Sequence, residues 1–421
     1  MIKLDDRLAT LRRHAHEWGR ELRPYAMDLD ADPAVPRALD SMAVRYLQRV
    51  LVPEDPLVVD GHRFDGVAAL ERVVVFEELC RGDAGVTLAA PGPSLSGVLI
   101  ARLGDPAQRE YFFSRVRQER LWTFFALTEP SGGSDAGGLS TDLSTVDETG
   151  NHRLNGVKRF VGSARRARLG TVFARTRPGP LGVIAVLVDA ADPGFQAVPL
   201  PMIGLRGLEI CAIDLTDVAV APQHVLGRHL PPSARGLWSA VQTFNQLRPG
   251  VAAIALGIAR AAVEYIRAER PGAHGTDLDR IERLESEVAS VRQLIWAAAV
   301  AVDRNPRDGY LASAAKARAV RLAEEATLGA LALLGPGARL DHPYLDKLAR
   351  DARGVEFMEG TRHIQRLNAS QGVINGRFAG RGTDRAGAPQ PVAAGVADGP
   401  RRTGRRVPAD GDADPDGTDG R

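Results

Sequence analysis

The 421-residue chain predicts an α+β protein with three folded parts and a tail. These are a helical domain over 1–120, a β-barrel or β-sandwich domain over 121–235, a four-helix bundle over 236–376, and a disordered stretch over 377–421. Three observations carry this. Apolar residues recur at helical spacing up to about residue 120. From Leu121 the pattern turns to short alternating runs separated by turns. From Leu237 helical spacing returns, in long segments rich in Ala.

In the first part, Leu4, Leu8, Leu11 and Ala15 form one helical stripe, and Val67, Leu70, Val73 and Val74 another. Glu71 and Glu78 fall close to the apolar side of the second. Asp28–Pro36 reads as a loop, and Gly104-Asp105-Pro106 turns the chain into a charged helix. In the second part, Phe124 to Leu127 reads as a buried strand that Pro130 stops. Gly170–Thr176 is a strand, and Leu181–Ala190 suits a strand buried on both faces. Cys211, Ile213 and Leu215 alternate with Ala212 and Asp214. In the third part the stripes are Val251, Ile254, Ile258, Ala262, Ile266; then Ile281, Leu284, Val288, Val291, Ile295; then Leu311, Ala315, Ala319, Leu322. Small residues on long helices allow close packing in a bundle. Gly335-Pro336-Gly337 ends the last helix. After Gly376 the composition of Gly, Pro, Asp, Arg and Ala forms no core.

Composition excludes several functions. Lys plus Arg number 54 and Asp plus Glu 52, a net charge of +2, so there is no electrostatic footprint for nucleic acid. Cys80 and Cys211 have no motif spacing, which argues for a reducing compartment and against a zinc site; no metal is expected. Charges are scattered through Met1–Arg13, unlike a signal peptide. No run of about 18 apolar residues marks a membrane span. The expected location is the cytoplasm.

The chain is organised around Phe125-Ala126-Leu127-Thr128-Glu129-Pro130-Ser131-Gly132-Gly133-Ser134-Asp135. A strand end leads into a glycine turn, presenting backbone N–H groups and the hydroxyls of Thr128, Ser131 and Ser134. That surface suits an extended, partly anionic ligand. Leu154-Asn155-Gly156-Val157-Lys158, Gly204-Leu205-Arg206-Gly207, Asp214 to Pro222 and Glu359-Gly360-Thr361 follow. Together and in this order, over residues 1 to 376, they resemble the acyl-CoA dehydrogenase family.

The resemblance implies an FAD-dependent α,β-dehydrogenation of an acyl thioester carried by CoA or by an acyl carrier protein. Glu359 would be the α-proton acceptor, and an apolar neighbourhood would raise its pKa. Gly360 would let the backbone approach the thioester, and Thr361 would cap the helix that restarts at Arg362. Flavin contacts carry over to Phe125, Leu127, Thr128, Gly133, Ser134, Phe160, Gly162, Ser163, Arg270, Thr361 and His363. Phe160 stands where the family has tryptophan, Gly162 where it has threonine, and His363 replaces a glutamine. Ser134, Asn245, Arg248 and Gly360 fall on the substrate side. Asp351 reads as structural. The family further implies a homotetramer or homodimer, with an electron-transfer flavoprotein as electron acceptor. Two other readings stay open: a flavin-dependent monooxygenase on the same fold, and a non-catalytic subunit that pairs with an active homologue.

Overall fold

The computed structural model describes residues 1–33, 40–52, 54–133, 138–146 and 150–378. The expected disordered tail thus falls outside the described residues from 379 onward. The chain opens with helices α1 (Asp6–Leu22), α2 (Ala26–Ala31) and α3 (Met42–Arg49). Asp5 starts α1 by accepting the Leu8 N–H at 2.8 Å, a side-chain cap. Helix α2 corrects the loop expected from Asp28: the turn is helical because Leu29 is buried and Asp30 is held by Arg350. A tertiary contact here overrides weak local propensity. A hairpin, β1 (Leu57–Val59) and β2 (His62–Phe64), also interrupts the expected run of helices. Its turn is Asp60-Gly61, both at positive φ, and Asp-Gly is a hairpin signal present in the sequence. Next come α4 (Ala69–Ala89), α5 (Ser94–Leu103) and α6 (Pro106–Gln118). Asp105 and Gln108 close a reciprocal capping box at the start of α6.

The middle of the chain supplies β3 (Thr123–Ala126), β4 (Asp142–Thr145), β5 (His152–Gly162), β6 (Leu169–Arg175), β7 (Val183–Asp189), β8 (Phe195–Pro199) and β9 (Ile210–Val220). They form one mixed sheet in the order β3-β6-β4-β5-β9-β8, with β7 paired to β6. The sheet curls, so that Val172 of β6 and Val186 of β7 share a core with Leu154 of β5 and Ile213 of β9. The alternate residues Phe173, Val183, Ala185 and Leu187 pack outward with Leu99, Leu103 and Phe112 of α5 and α6. β6 and β7 are therefore buried on both faces, which is why they read as continuous apolar runs.

The remainder is helical: α7 (Leu237–Glu269), α8 (Thr276–Arg304), α9 (Tyr310–Leu334), α10 (Ala338–Asp341), α11 (Pro343–Val355) and α12 (Arg362–Ile374). The largest core cluster joins α7, α8, α9 and α11 to Val73, Val74, Cys80 and Ala84 of α4. The first and last helical parts thus share one core. Helix α7 is long and apolar enough to cross a membrane by length and composition, against the expectation that no such stretch exists. Of its most apolar window 83% is buried inside the fold, against α4, α8 and α9. Where α1 crosses α4, a Cβ on Gly82 would lie 1.9 Å from the Gly19 carbonyl, so glycine alone permits the approach.

Charge is buried along α4. Glu77 pairs with Arg260 and Arg292, and Glu78 with Arg12, His16 and Arg260. The glutamates near the apolar stripe are therefore core residues with partners. Burial alone would raise the Glu78 carboxyl, but Arg260, Arg12 and His16 outweigh it and hold it at about 2. A pKa below the unfolded value stabilises the fold above about pH 4.5 and loses that stabilisation as pH falls toward 2. Glu78→Gln should therefore cost about 3 kcal/mol at neutral pH. The gap from wild type should narrow by about 1 kcal/mol near pH 4. Denaturant titrations of both proteins at the two pH values check this, and a gap independent of pH would refute it.

Candidate functional site

The C-terminal end of β3 and the middle of β5 form one surface. The Thr128 carbonyl accepts the Arg159 N–H at 2.9 Å, and the Leu127 carbonyl accepts from Lys158 Nζ at 3.2 Å. Lys158 and Glu129 are a buried ion pair at 2.8 Å. Glu129 also accepts the N–H and hydroxyl of both Ser140 and Thr141. Burial would raise its carboxyl, yet these donors hold it at about 2. The pair anchors the Thr-Glu-Pro turn. Between Lys158 and Val161 the β5–β9 register slips, and in that bulge Phe160 takes a φ of 59°. A bulge re-aims side chains, and Phe160 is 62% exposed, with the Arg159 guanidinium 5.7 Å from its ring centroid.

The second centre is the turn between α11 and α12. Glu359 and Gly360 both have left-handed backbones, at φ 52° and 98°. Their N–H groups find no acceptor among the described residues. Glu359 Oε2 is buried without a hydrogen-bond partner. Burial pushes the Glu359 carboxyl up to about 7, opposed by the charges of Arg248, Lys316 and Arg72. Arg248 is itself buried and donates to Asn245 Oδ1 at 2.8 Å, while its Nε has no partner. It lies inside α7 and is not a surface arginine. Pro249 follows it inside α7 and lacks the N–H that would bond the Asn245 carbonyl. The two centres meet through α7: the Phe125 ring packs against Phe173 and Phe244, at 5.4 and 5.7 Å between centroids. Phe244 adjoins Asn245.

The other sequence-predicted residues fall unevenly around these centres. Leu127 is buried and Thr128 half-buried, while Gly133 is exposed. Ser134 lies outside the described residues. Gly162 faces Leu208. Ser163 donates its N–H to the Leu208 and Glu209 carbonyls and its hydroxyl to Leu208, which leaves it buried in the sheet. Thr361 stands at the start of α12 but makes no side-chain cap. Glu356 Oε1 instead accepts the Arg362 N–H at 3.0 Å, which corrects the expected capping role. His363 is exposed. Arg270 sits 22 residues beyond Arg248, about 33 Å along a helix. It donates to the Leu333 carbonyl and to Asp277, so it is not gathered with Glu359. Asp351 accepts the Leu205 N–H and pairs with Lys347, which also meets Asp83, a structural contact as expected.

Sequence reasoning missed Lys316 and Gln365. Gln365 is buried and its amide donates to the carbonyls of Glu359 and Gly360. Lys316 Nζ donates to the carbonyls of Glu356, Met358 and Gly360. A lysine beside the Ala315–Ala319 stripe of a helix was the available signal.

Comparison with known proteins agrees with this geometry. Family models described as the acyl-CoA dehydrogenase N-terminal, middle and C-terminal domains match residues 6–119, 124–218 and 234–374. The 3-(aryl)acrylate reductase of Clostridium sporogenes is 29% identical over 373 residues, covering 84% of this chain and 95% of that one. An acyl-CoA dehydrogenase of Bacillus subtilis is 28% identical over 382 residues, covering 87% and 97%. The structure of butyryl-CoA dehydrogenase from Megasphaera elsdenii superposes with a TM-score of 0.77 at 25% identity, covering 89% of this chain and all of that one. With all three domain families matched in order along one chain, this protein belongs to the acyl-CoA dehydrogenase family of flavin-dependent oxidoreductases acting on CH–CH donors.

Proposed function

We propose that the chain dehydrogenates an acyl thioester to its α,β-unsaturated counterpart, with Glu359 as the base that takes the α-proton. The observation that carries this is the Glu359 carboxyl. It is pushed up to about 7 by burial, and Oε2 has no donor. A base for a carbon acid needs a free lone pair and a pKa near the working pH. The carboxylate of Glu129, by contrast, is saturated with donors.

The chain's residues fit a flavin at its ring end. Phe160, turned out of the sheet, offers an exposed aromatic edge. The half-buried Thr128 and the exposed Gly133 continue that surface. FAD, when bound there, supplies the acceptor for the β-hydride. Glu359 takes the proton from Cα at Oε2, and Arg248, with its own Nε unpartnered, faces the carboxyl before that transfer. The free N–H groups of Glu359 and Gly360 are donors suited to a thioester oxygen on which negative charge develops. Arg270, far along α7, would serve a flavin only in another copy of the chain, which supports a homodimer or homotetramer. The acyl carrier, CoA or a carrier protein's phosphopantetheine, and an electron-transfer flavoprotein as oxidant complete the reading.

The test is anaerobic titration of the yellow holoenzyme with acyl-CoA thioesters. The visible flavin band should bleach in wild type. Glu359→Gln should keep the band and lose about a thousandfold or more in bleaching rate. A Gln variant that bleaches at the wild-type rate would overturn the assignment. The pH dependence gives a second check. The base works ionised, so kcat/KM should rise with pH and level off above a midpoint near 7. A profile flat from about pH 5 to 8 would count against Glu359, because an unshifted carboxylate titrates below that range.

A further inference from the structure

The turn that carries Glu359 is held from one side by a single buried ammonium group. Lys316 lies on α9 and is fully buried. Its Nζ donates to the Glu356 carbonyl at 3.0 Å, the Met358 carbonyl at 2.6 Å, and the Gly360 carbonyl. We propose that Lys316 is a positioning residue for the proton transfer: it fixes the left-handed Glu359–Gly360 turn and stands as a positive charge beside the Glu359 carboxyl. This rests on the reading that Glu359 is the base.

Two physical arguments support it. An ammonium has three protons, and three carbonyls accept them, so none is left to bond the Glu359 side chain. A neutral amine would leave a buried carbonyl without its donor, at about 1–3 kcal/mol, so the geometry requires the charged form. Burial pulls the ammonium down to about 8, and the charge of Glu359 opposes that pull. The backbone makes the second argument. A non-glycine residue in the left-handed region costs about 1–2 kcal/mol and persists where its surroundings fix it. Lys316 from α9 and Gln365 from α12 hold the carbonyls of Glu356, Met358, Glu359 and Gly360 between them.

The arrangement separates two tasks. Lys316 holds the backbone and leaves Oε2 unbonded, so its charge favours the ionised carboxylate without a hydrogen bond that would have to break during proton transfer. The other charges around Glu359 are Arg72 from α4 and Arg248 from α7. Arg72 is fixed by the carbonyls of Gly66, Val67 and Gln246. Glu356, on the same turn, faces Lys316 and is bound to Arg362 of α12. Arg353 of α11 is paired away with Glu324.

The experiment compares wild type with Lys316→Met and Lys316→Arg as holoenzymes. The Glu359 carboxyl is followed by NMR with glutamate labelled with carbon-13 at Cδ, and the Glu359→Gln spectrum assigns its signal. In Lys316→Met the Glu359 pKa should rise by about one unit or more. The acid limb of kcat/KM should move with it. The rate near pH 6 should then fall about tenfold more than the rate near pH 9. Lys316→Arg keeps the charge and should leave that limb in place. A folded Lys316→Met protein with the wild-type Glu359 pKa, and a rate lowered equally at all pH values, would overturn the proposal. So would an acid limb that moves as far in Lys316→Arg as in Lys316→Met. Should Lys316→Met fail to fold, Lys316→Arg decides alone: an acid limb in place supports the proposal and a shifted one overturns it. Failure of the base assignment would show separately, as bleaching in Glu359→Gln, while the carboxyl titration stays readable.

Discussion

A carboxylate buried among packed helices must be compensated, because removing an ion from water costs several kcal/mol even after the protein relaxes. Glu359 imposes that requirement on this fold. Its compensation comes from three helices at once: Arg72 on α4, Arg248 on α7 and Lys316 on α9. The same helices meet in the largest apolar core. The charge state of one side chain is thereby tied to the packing of a cluster assembled from opposite ends of the sequence. Compensation is incomplete. The rise from 4.5 to about 7 corresponds to about 3 kcal/mol against the ionised form. A carboxyl raised this way is ready to hold a proton near neutral pH.

The fold contains other buried carboxylates, and they show what a structural solution looks like. Glu129 takes five donors from Ser140, Thr141 and Lys158 and is held at about 2. Glu78 is held equally low by its arginines and His16. Asp83 and Asp351 share Lys347, and each also accepts a backbone N–H, from Val86 and Leu205. All of these join segments distant in sequence: β3 to β5, α1 to α4 and α7, α4 to α11 and the loop before β9. Glu359 differs from them in having an oxygen that nothing donates to. The Oε2 atoms of Glu209 and Glu356 also lack a hydrogen bond, but Arg166 and Arg362 lie 3.1 and 3.8 Å from them; Glu359 has no ion pair at that range among the described residues.

The glycines and bulges around the site serve geometry. The slip in the β5–β9 register turns Phe160 toward solvent. Gly204 lets its loop approach α11, where a Cβ would lie 2.1 Å from the Arg350 carbonyl, and the next residue, Leu205, enters the helical core. The Gly204-Leu205-Arg206-Gly207 stretch, one of the ordered motifs of the resemblance, is here a contact between the β8–β9 loop and the helices.

Local pattern determined a good deal by itself. Period-2 and period-3.6 spacing located the sheet between two sets of helices, and strands buried on both faces announced themselves as unbroken apolar runs at Val183–Asp189. The ordered short motifs pointed to the family and to Glu359. Such features survive in sequence because they repeat along neighbouring residues or sit in contiguous stretches. The hairpin at Asp60-Gly61 was missed, although its turn residues signal it. What the tertiary structure alone decided is whatever depends on residues far apart in the chain. Examples are the helical state of Asp28–Ala31, the single core shared by α4 and α7, the loss of Thr361 as a cap to Glu356, and the burial of Arg248. The grip of Lys316 on a turn 43 residues away in sequence belongs with them. A side chain's charge and partner are set by the dielectric and donors around it, and those surroundings exist only once the helices have packed.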